Sequence, residues 1–170
     1  MQLDGCANGP NGPNGNAPAE ARVLVVGATN RPHELDDAAR RRLQKRLMIP
    51  LPDDSARMQM LVAGLKSLAH TLTDAELHAV VSDTDGYSGS DMSGLCREAA
   101  MEPMRDDGVR AALLDGTAAE LRAINKSDFD AALCQVRPSV SPAELRGFEE
   151  WNRLFGSFAN QESKRQALAR

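Results

Sequence analysis

Three short stretches of this sequence carry side chains whose types and spacing suit phosphate chemistry. The first is Thr29-Asn30-Arg31-Pro32, which follows directly on the apolar run RVLVVGA at residues 22–28. A polar amide at the carboxyl end of a buried parallel strand lies where open α/β sheets bind ligands. Asn30 there is suited to holding a water or a phosphate oxygen. An Asn shortly before Pro is equally a turn former, and both readings stay open on these residues alone. The second stretch is Arg40-Arg41-Arg42. Consecutive side chains on a helical turn point about 100° apart, so the three cannot share one target. Each guanidinium can fork onto phosphate oxygens, which Lys does less well. Short basic runs also serve as solvated faces or nuclear import signals, but an import signal wedged between two core strands would be poorly exposed. The third stretch is DGYSGSD at residues 85–91. Gly86 and Gly89 leave backbone room beside a helix start, where unpaired N–H groups favour an anion or a polar ligand edge. A plainly capped helix start has the same sequence.

The elements that must position these residues fall into two kinds. Residues 22–28 are apolar on both faces and read as a strand in a covered, parallel sheet. Residues 46–51, RLMIPL, read as a second strand ended by Pro50 and Pro52, with a short charged helix over residues 36–43 between them. Asp36 and Asp37 favour the start of that helix. Two strands cannot close an α/β layer, so partner strands are expected outside this stretch of sequence. From Asp53 onward the period turns helical. Met58, Leu61, Val62 and Leu65 share a face; so do Leu77, Val80 and Val81, and then Met92, Leu95, Cys96 and Ala99. Hydroxyl caps with a carboxylate three residues on recur at Thr73/Glu76, Ser88/Asp91, Ser127/Asp130 and Ser141/Glu144. Pro142 suits the first helical position. A last helix carries Leu145, Phe148, Trp151 and Phe155 on one side, which predicts docking in a groove. Residues 5–20 hold an Asn-Gly-Pro repeat that cannot keep a regular ladder and read as a loop. With only four residues ahead of it, the chain is expected to begin inside a structure.

Composition narrows the classes. Hydrophobic residues make up 42% and charged residues 26% of the 170, ordinary values for a globular chain. A formal net charge of -4 argues against bulk attraction to nucleic acid or anionic membrane. Cys6, Cys96 and Cys134 are odd in number and lack CxxC spacing, and His33, His70 and His78 do not complete a ligand set. Reduced thiols and no metal site are expected. No apolar run reaches the ~20 residues of a membrane span, and no signal pattern opens the chain, so a cytoplasmic or nuclear location is expected.

Taken together, VLVVGATNRPHELDDAARRRLQKRLMIPLPD strongly resembles the second region of homology of AAA+ ATPases. The similarity continues through DGYSGSDMSGLCREAAMEPMR and INKSDFDAALCQVRPSVSPAELRGFEEWNRLFG, covering about residues 22–156. It is greatest to the fidgetin-like proteins of the microtubule-severing (meiotic) group, which includes spastin and katanin. The resemblance implies a fold in two parts. Residues 1–52 would be the C-terminal remnant of the large α/β subdomain, and even residues 2–5 look like the end of the helix before the loop. Residues 53–138 would be the all-α helical lid, and residues 139–170 a C-terminal helix and tail.

The same resemblance implies roles for particular residues. Asn30 stands at the sensor-1 position, which polarises the attacking water. Arg41 and Arg42 stand at the paired arginine-finger positions, which reach into a neighbouring subunit's nucleotide site. Gly89, Ser90 and Asp91 stand where many relatives place a sensor-2 arginine; this group lacks it, so backbone contact to adenine or ribose is expected there. The implied cofactor is ATP or ADP with Mg2+, the implied assembly a hexameric ring, and the implied substrate a protein such as tubulin or a recombinase complex. Neither membrane nor direct nucleic-acid binding is expected. A competing reading, an ATP-independent helical interaction module, gives no reason for Asn30, Arg41 and Arg42 to occur together.

No GxxxxGK[ST] occurs in the sequence, and no apolar strand ends in Asp-Glu. A phosphate cradle and a metal-binding carboxylate supply most of the charge stabilisation in phosphoryl transfer. The 170-residue chain by itself is therefore expected to hydrolyse no ATP and to bind nucleotide weakly. Steady-state phosphate release checks this; turnover above a buffer blank that is lost in Arg41→Ala would overturn it.

Overall fold

The computed structural model describes residues 23–116 and 120–157. The Asn-Gly-Pro segment, the helix end at residues 2–5 and the tail at residues 161–170 lie outside them. The α-helices among the described residues are α1 (Asp37–Arg42), α2 (Asp54–Leu65), α3 (Asp74–Asp83), α4 (Gly89–Met101), α5 (Asp107–Leu114), α6 (Lys126–Gln135) and α7 (Pro142–Phe155). Short 3-10 turns cover Pro32–Glu34 and Glu102–Arg105. The chain divides into two compact units: one holds residues up to Met48 together with those from Arg146 onward, the other runs from Ile49 to Leu145.

The second unit is all helix, as the periodicity predicts. At its centre α4 packs on α2 and α6, while α3 packs on α2 and α6. Leu61, Val80, Leu95, Ala99, Phe129 and Ala132 are all at 0% exposure and form the middle of this core. The apolar stripes of α3 and α4 are buried as expected. On α2 the stripe is turned: Leu61 and Leu65 are buried, but Val62 is 51% exposed and Arg57 is buried in its place. Burying a guanidinium is costly unless its donors are met. Arg57 donates from Nη1 to the Pro52 carbonyl at 2.9 Å, and from Nη2 to Asp54 Oδ1 at 2.7 Å and the Val81 carbonyl at 3.3 Å. The side chain thus ties the start of α2 to the end of α3.

Helix starts follow the hydroxyl-carboxylate logic with one correction. Thr73 with Glu76 and Ser88 with Asp91 form full capping boxes, and Ser141 and Glu144 exchange the same bonds. For α6 the expected pair Ser127/Asp130 is not the cap. Asn125 is, with Asp128 completing the box. Asn is at least as good an N-cap acceptor as Ser, and Asp128 gains a further bidentate bond from Arg122 at 2.7 and 2.8 Å. That pairing, opposed by burial, holds the Asp128 carboxyl below its usual value.

The two expected strands, residues 22–28 and 46–51, do not form among the described residues. Residues 23–28 and 46–51 belong to no ladder, and the one β-bridge among the described residues joins His70 and Ile124 in the second unit. Leu24 and Val26 are 85% and 81% exposed. A segment becomes a strand only through a repeated ladder of backbone bonds to a neighbour, and the bonds between Arg46 and Ser157 are too local to build one. The short helix over residues 36–43 forms as α1, with Asp36 accepting from the Ala39 amide at 2.6 Å. No helix among the described residues is long and apolar enough to cross a membrane.

Close packing of α2 on α4 depends on Gly64. A Cβ placed there would stand 2.8 Å from Cys96 Sγ, inside any normal contact. Gly64→Ala is expected to destabilise the helical unit by about 1–3 kcal/mol through overpacking. Adding Cys96→Ala should recover part of that loss. Urea unfolding of the single and double variants measures the coupling; strictly additive effects would refute the contact.

Candidate functional site

The sequence-derived site residues divide between the two units. In the first, Asn30 sits exposed at a bend after the extended run and ahead of the 3-10 turn. Its neighbours build the bend: the Arg31 amide donates to Thr29 Oγ1 at 3.0 Å, and the Arg31 guanidinium pairs with Glu34 at 2.9 Å. The Asn30 amide is not consumed in making the turn. Arg41 and Arg42 occupy the last turn of α1 and are exposed. Arg40 differs from both. Its guanidinium pairs with Asp37 and lies 4.6 Å from the centre of the Phe155 ring, a cation-π arrangement. The angular separation expected of adjacent helical side chains thus turns Arg40 onto Phe155, while Arg41 and Arg42 are both exposed.

In the second unit Gly89, Ser90 and Asp91 open α4 together. Gly86, at φ +77°, turns the chain just before them, a conformation that glycine adopts at least cost. Ser88 is the N-cap, and the first intrahelical bond runs from the Met92 amide to the Ser88 carbonyl at 3.0 Å. The amides of Gly89 and Ser90 stand ahead of that bond and have no intrahelical acceptor. Asp91, by contrast, is engaged through one oxygen. Its Oδ2 accepts from the Ser88 amide and hydroxyl at 2.8 and 2.7 Å, and from the Ser139 amide and hydroxyl at 3.1 and 3.0 Å. Burial alone would raise its pKa; the bonds from Ser88 and Ser139 more than offset this, and the carboxyl lies below its usual value.

Two residues escaped sequence reasoning. Met60 lies one position off the buried stripe of α2, and its Cε would be 3.6 Å from a Cβ on Gly89. It is 39% exposed, so a polarisable thioether borders the open amides. Tyr87, the only tyrosine, is buried and donates from its hydroxyl to the Val136 carbonyl at 2.5 Å. Together with Asp91–Ser139, this fastens the segment after α6 to the start of α4. A lone tyrosine beside two glycines was the available signal. Among the described residues no group of three or more His, Cys, Asp or Glu side chains could hold a metal ion.

This geometry can be set beside known proteins. A family profile described as the AAA+ lid domain matches residues 74–131. Fidgetin-like protein 1 of Xenopus laevis is 47% identical over 159 residues, which cover 92% of this chain and 22% of that protein. The chain thus spans under a quarter of this relative's length. A crystal structure of the FIGL-1 AAA domain in complex with ADP matches at TM-score 0.73 and 44% identity, over 82% of this chain and 47% of that one. A structure described as the structural basis for katanin self-assembly matches at TM-score 0.66 and 35% identity, over 78% and 48% of the two chains.

The depressed carboxyl of Asp91 has a consequence for acid stability. A carboxylate whose pKa is lowered on folding stabilises the fold above its unfolded pKa, and that contribution is lost as pH falls through the folded value. The helical unit is therefore expected to lose stability below about pH 4, and Asp91→Asn should flatten part of that fall. Asp91→Ala should cost about 1–3 kcal/mol at neutral pH by leaving the Ser88 and Ser139 donors without their acceptor. Chemical unfolding at pH 7 and pH 3 checks both; an Asp91→Asn profile parallel to the parent would contradict the assignment.

Proposed function

Because this chain belongs to the AAA+ ATPases of the fidgetin-like and katanin group and carries their lid domain, we propose that it forms part of a subunit that hydrolyses ATP in a hexameric ring. Residues 1–52 contribute to the large subdomain, residues 53–138 form the lid, and residues 139–170 the C-terminal helix and tail. The machine works in the cytoplasm or nucleus on a protein assembly, with microtubules as the first candidate.

The observation that carries this reading is that Arg41 and Arg42 stand together, both exposed, in the last turn of a capped helix. Arg40 is spent on Asp37 and the Phe155 ring, whereas Arg41 and Arg42 remain exposed at the end of a capped helix. Guanidinium groups offered in trans to a nucleotide neutralise charge that develops on the transferred phosphoryl group.

The residues at the start of α4 fit the base end of a nucleotide. The Gly89 and Ser90 amides offer two donors, the glycine leaves space for a flat ring, and the Met60 thioether supplies a soft apolar contact of the kind aromatic rings accept. Asp91 contributes by holding this helix start in place through Oδ2, which accepts from Ser88 and Ser139. Asn30 holds and orients the attacking water through its side-chain amide. Bound Mg-ATP supplies the phosphoryl group and its counter-ion. The FIGL-1 structure with ADP supports nucleotide binding in this group, and the katanin structure supports self-assembly.

In the intact ATPase, Arg41→Ala or Arg42→Ala is expected to lower turnover by ~10³ or more, while ATP binding to the mutant subunit itself is retained. Arg40→Ala should cost much less. Subunit mixing decides where the loss falls: a finger variant poisons its neighbour's site and spares its own. Wild-type turnover by both variants in assembled rings would return the run to a solvated basic turn.

A further inference from the structure

We infer that Arg46 is a positioning residue for the Arg41–Arg42 pair, acting by tying the end of α1 to the end of α7; this rests on the finger reading given above. The need for such a tie comes from α1 itself. Six residues make less than two helical turns, and no residue of α1 is buried. A helix so short has little stability of its own, so something outside it must fix its last turn.

Arg46 supplies that fixation with one side chain. Its Nη1 donates to the carbonyls of Arg40 and Leu43 at 2.7 and 2.8 Å, satisfying groups that the end of α1 leaves open. Its Nε donates to the Phe155 carbonyl at 2.5 Å, at the last residue of α7. The backbone closes the joint around it. The Arg46 amide donates to Ser157 Oγ at 3.1 Å, the Ser157 amide returns a bond to the Arg46 carbonyl at 2.7 Å, and Ser157 Oγ donates to the Gln44 carbonyl at 3.2 Å. Arg40 stacked over Phe155 is a second pin on the same helix end. Arg41 and Arg42 lie directly between these two pins in sequence.

The chemistry selects arginine at this place. Three carbonyls are reached by donors on two different nitrogens of a planar group; a lysine radiates its donors from a single point and cannot span them. A group that stabilises a transition state must be held to within about 0.5 Å, and a displacement near 1 Å can cost ~10²-fold in rate. Loosening the joint should thus lower catalysis at the neighbouring subunit without changing nucleotide affinity at the mutant's own site.

The test uses the intact ATPase with Arg46→Lys and, as a milder cut, Ser157→Ala. Arg46→Lys is expected to lower kcat about 10- to 100-fold, with KM for ATP within about twofold. Ser157→Ala should lower kcat severalfold, again at constant KM. In mixed rings the loss should fall on the site facing the variant, as for Arg41→Ala measured in parallel. A merely structural defect would instead raise KM or weaken ATP binding to the variant's own subunit, and that pattern overturns the inference. So does wild-type kcat in both variants. If Arg46→Lys does not assemble, Ser157→Ala decides alone by the same criteria. Should Arg41→Ala and Arg42→Ala themselves keep full turnover, the finger reading has failed, and this inference fails with it. If they abolish turnover while Arg46→Lys and Ser157→Ala do not reduce it, only the positioning role is wrong.

Discussion

The helical unit hangs on the start of α4. That helix touches α2, α6 and the 3-10 turn after it, so its axis sets where the others lie. One carboxylate oxygen, Asp91 Oδ2, fixes where it begins by accepting from Ser88 on its own chain end and from Ser139 some fifty residues on. A single acceptor with four donors is a stiff joint, because moving any one group costs charge-assisted bonds that water must replace. Removing it would leave the Ser88 and Ser139 donors that converge on it without their acceptor. The cost of that is large compared with the few kcal/mol by which domains of this size are stable.

Function follows from that stiffness by subtraction. Since Asp91 is engaged, the chemistry left at the start of α4 is backbone chemistry: two early amides, a glycine without a side chain, and a thioether beside them. Such a surface recognises a flat, polar-edged ligand without acting on it as an acid or base. The first unit repeats the logic with cations. Arg40 and Arg46 are spent on ring, carboxylate and carbonyl contacts, which fix the short helix that carries Arg41 and Arg42.

Arg57 illustrates why polar burial is tolerated where geometry is good. Its guanidinium meets two carbonyls and a carboxylate, while its Nε has no hydrogen-bond partner. Water cannot readily replace these partners at 3% exposure, so this group fixes the start of α2 against the end of α3. The unmet Nε is the residual cost of that arrangement.

Much was legible from sequence because it depends on local physics. Helical spacing placed Leu77, Val80, Val81, Met92, Leu95, Cys96 and Ala99 in a core, and each is buried there. Hydroxyl-carboxylate pairs located three helix starts, since a cap needs only residues three positions apart. The α6 start was misplaced by two residues because Asn125 and Ser127 are both competent caps, and the choice is made by Arg122 pulling on Asp128. Strand pairing at residues 22–28 and 46–51 was equally undecidable: β-branched composition makes a segment extended, but only a neighbour makes it a ladder. Among the site residues, types and spacing singled out Asn30, Arg41, Arg42 and the Gly89-Ser90-Asp91 start. Which of three adjacent arginines is consumed by packing, and that Asp91 is bound by Ser139, depend on residues separated by 115 and 48 positions. Contacts at that separation leave no periodicity in the chain, so tertiary structure alone decides them.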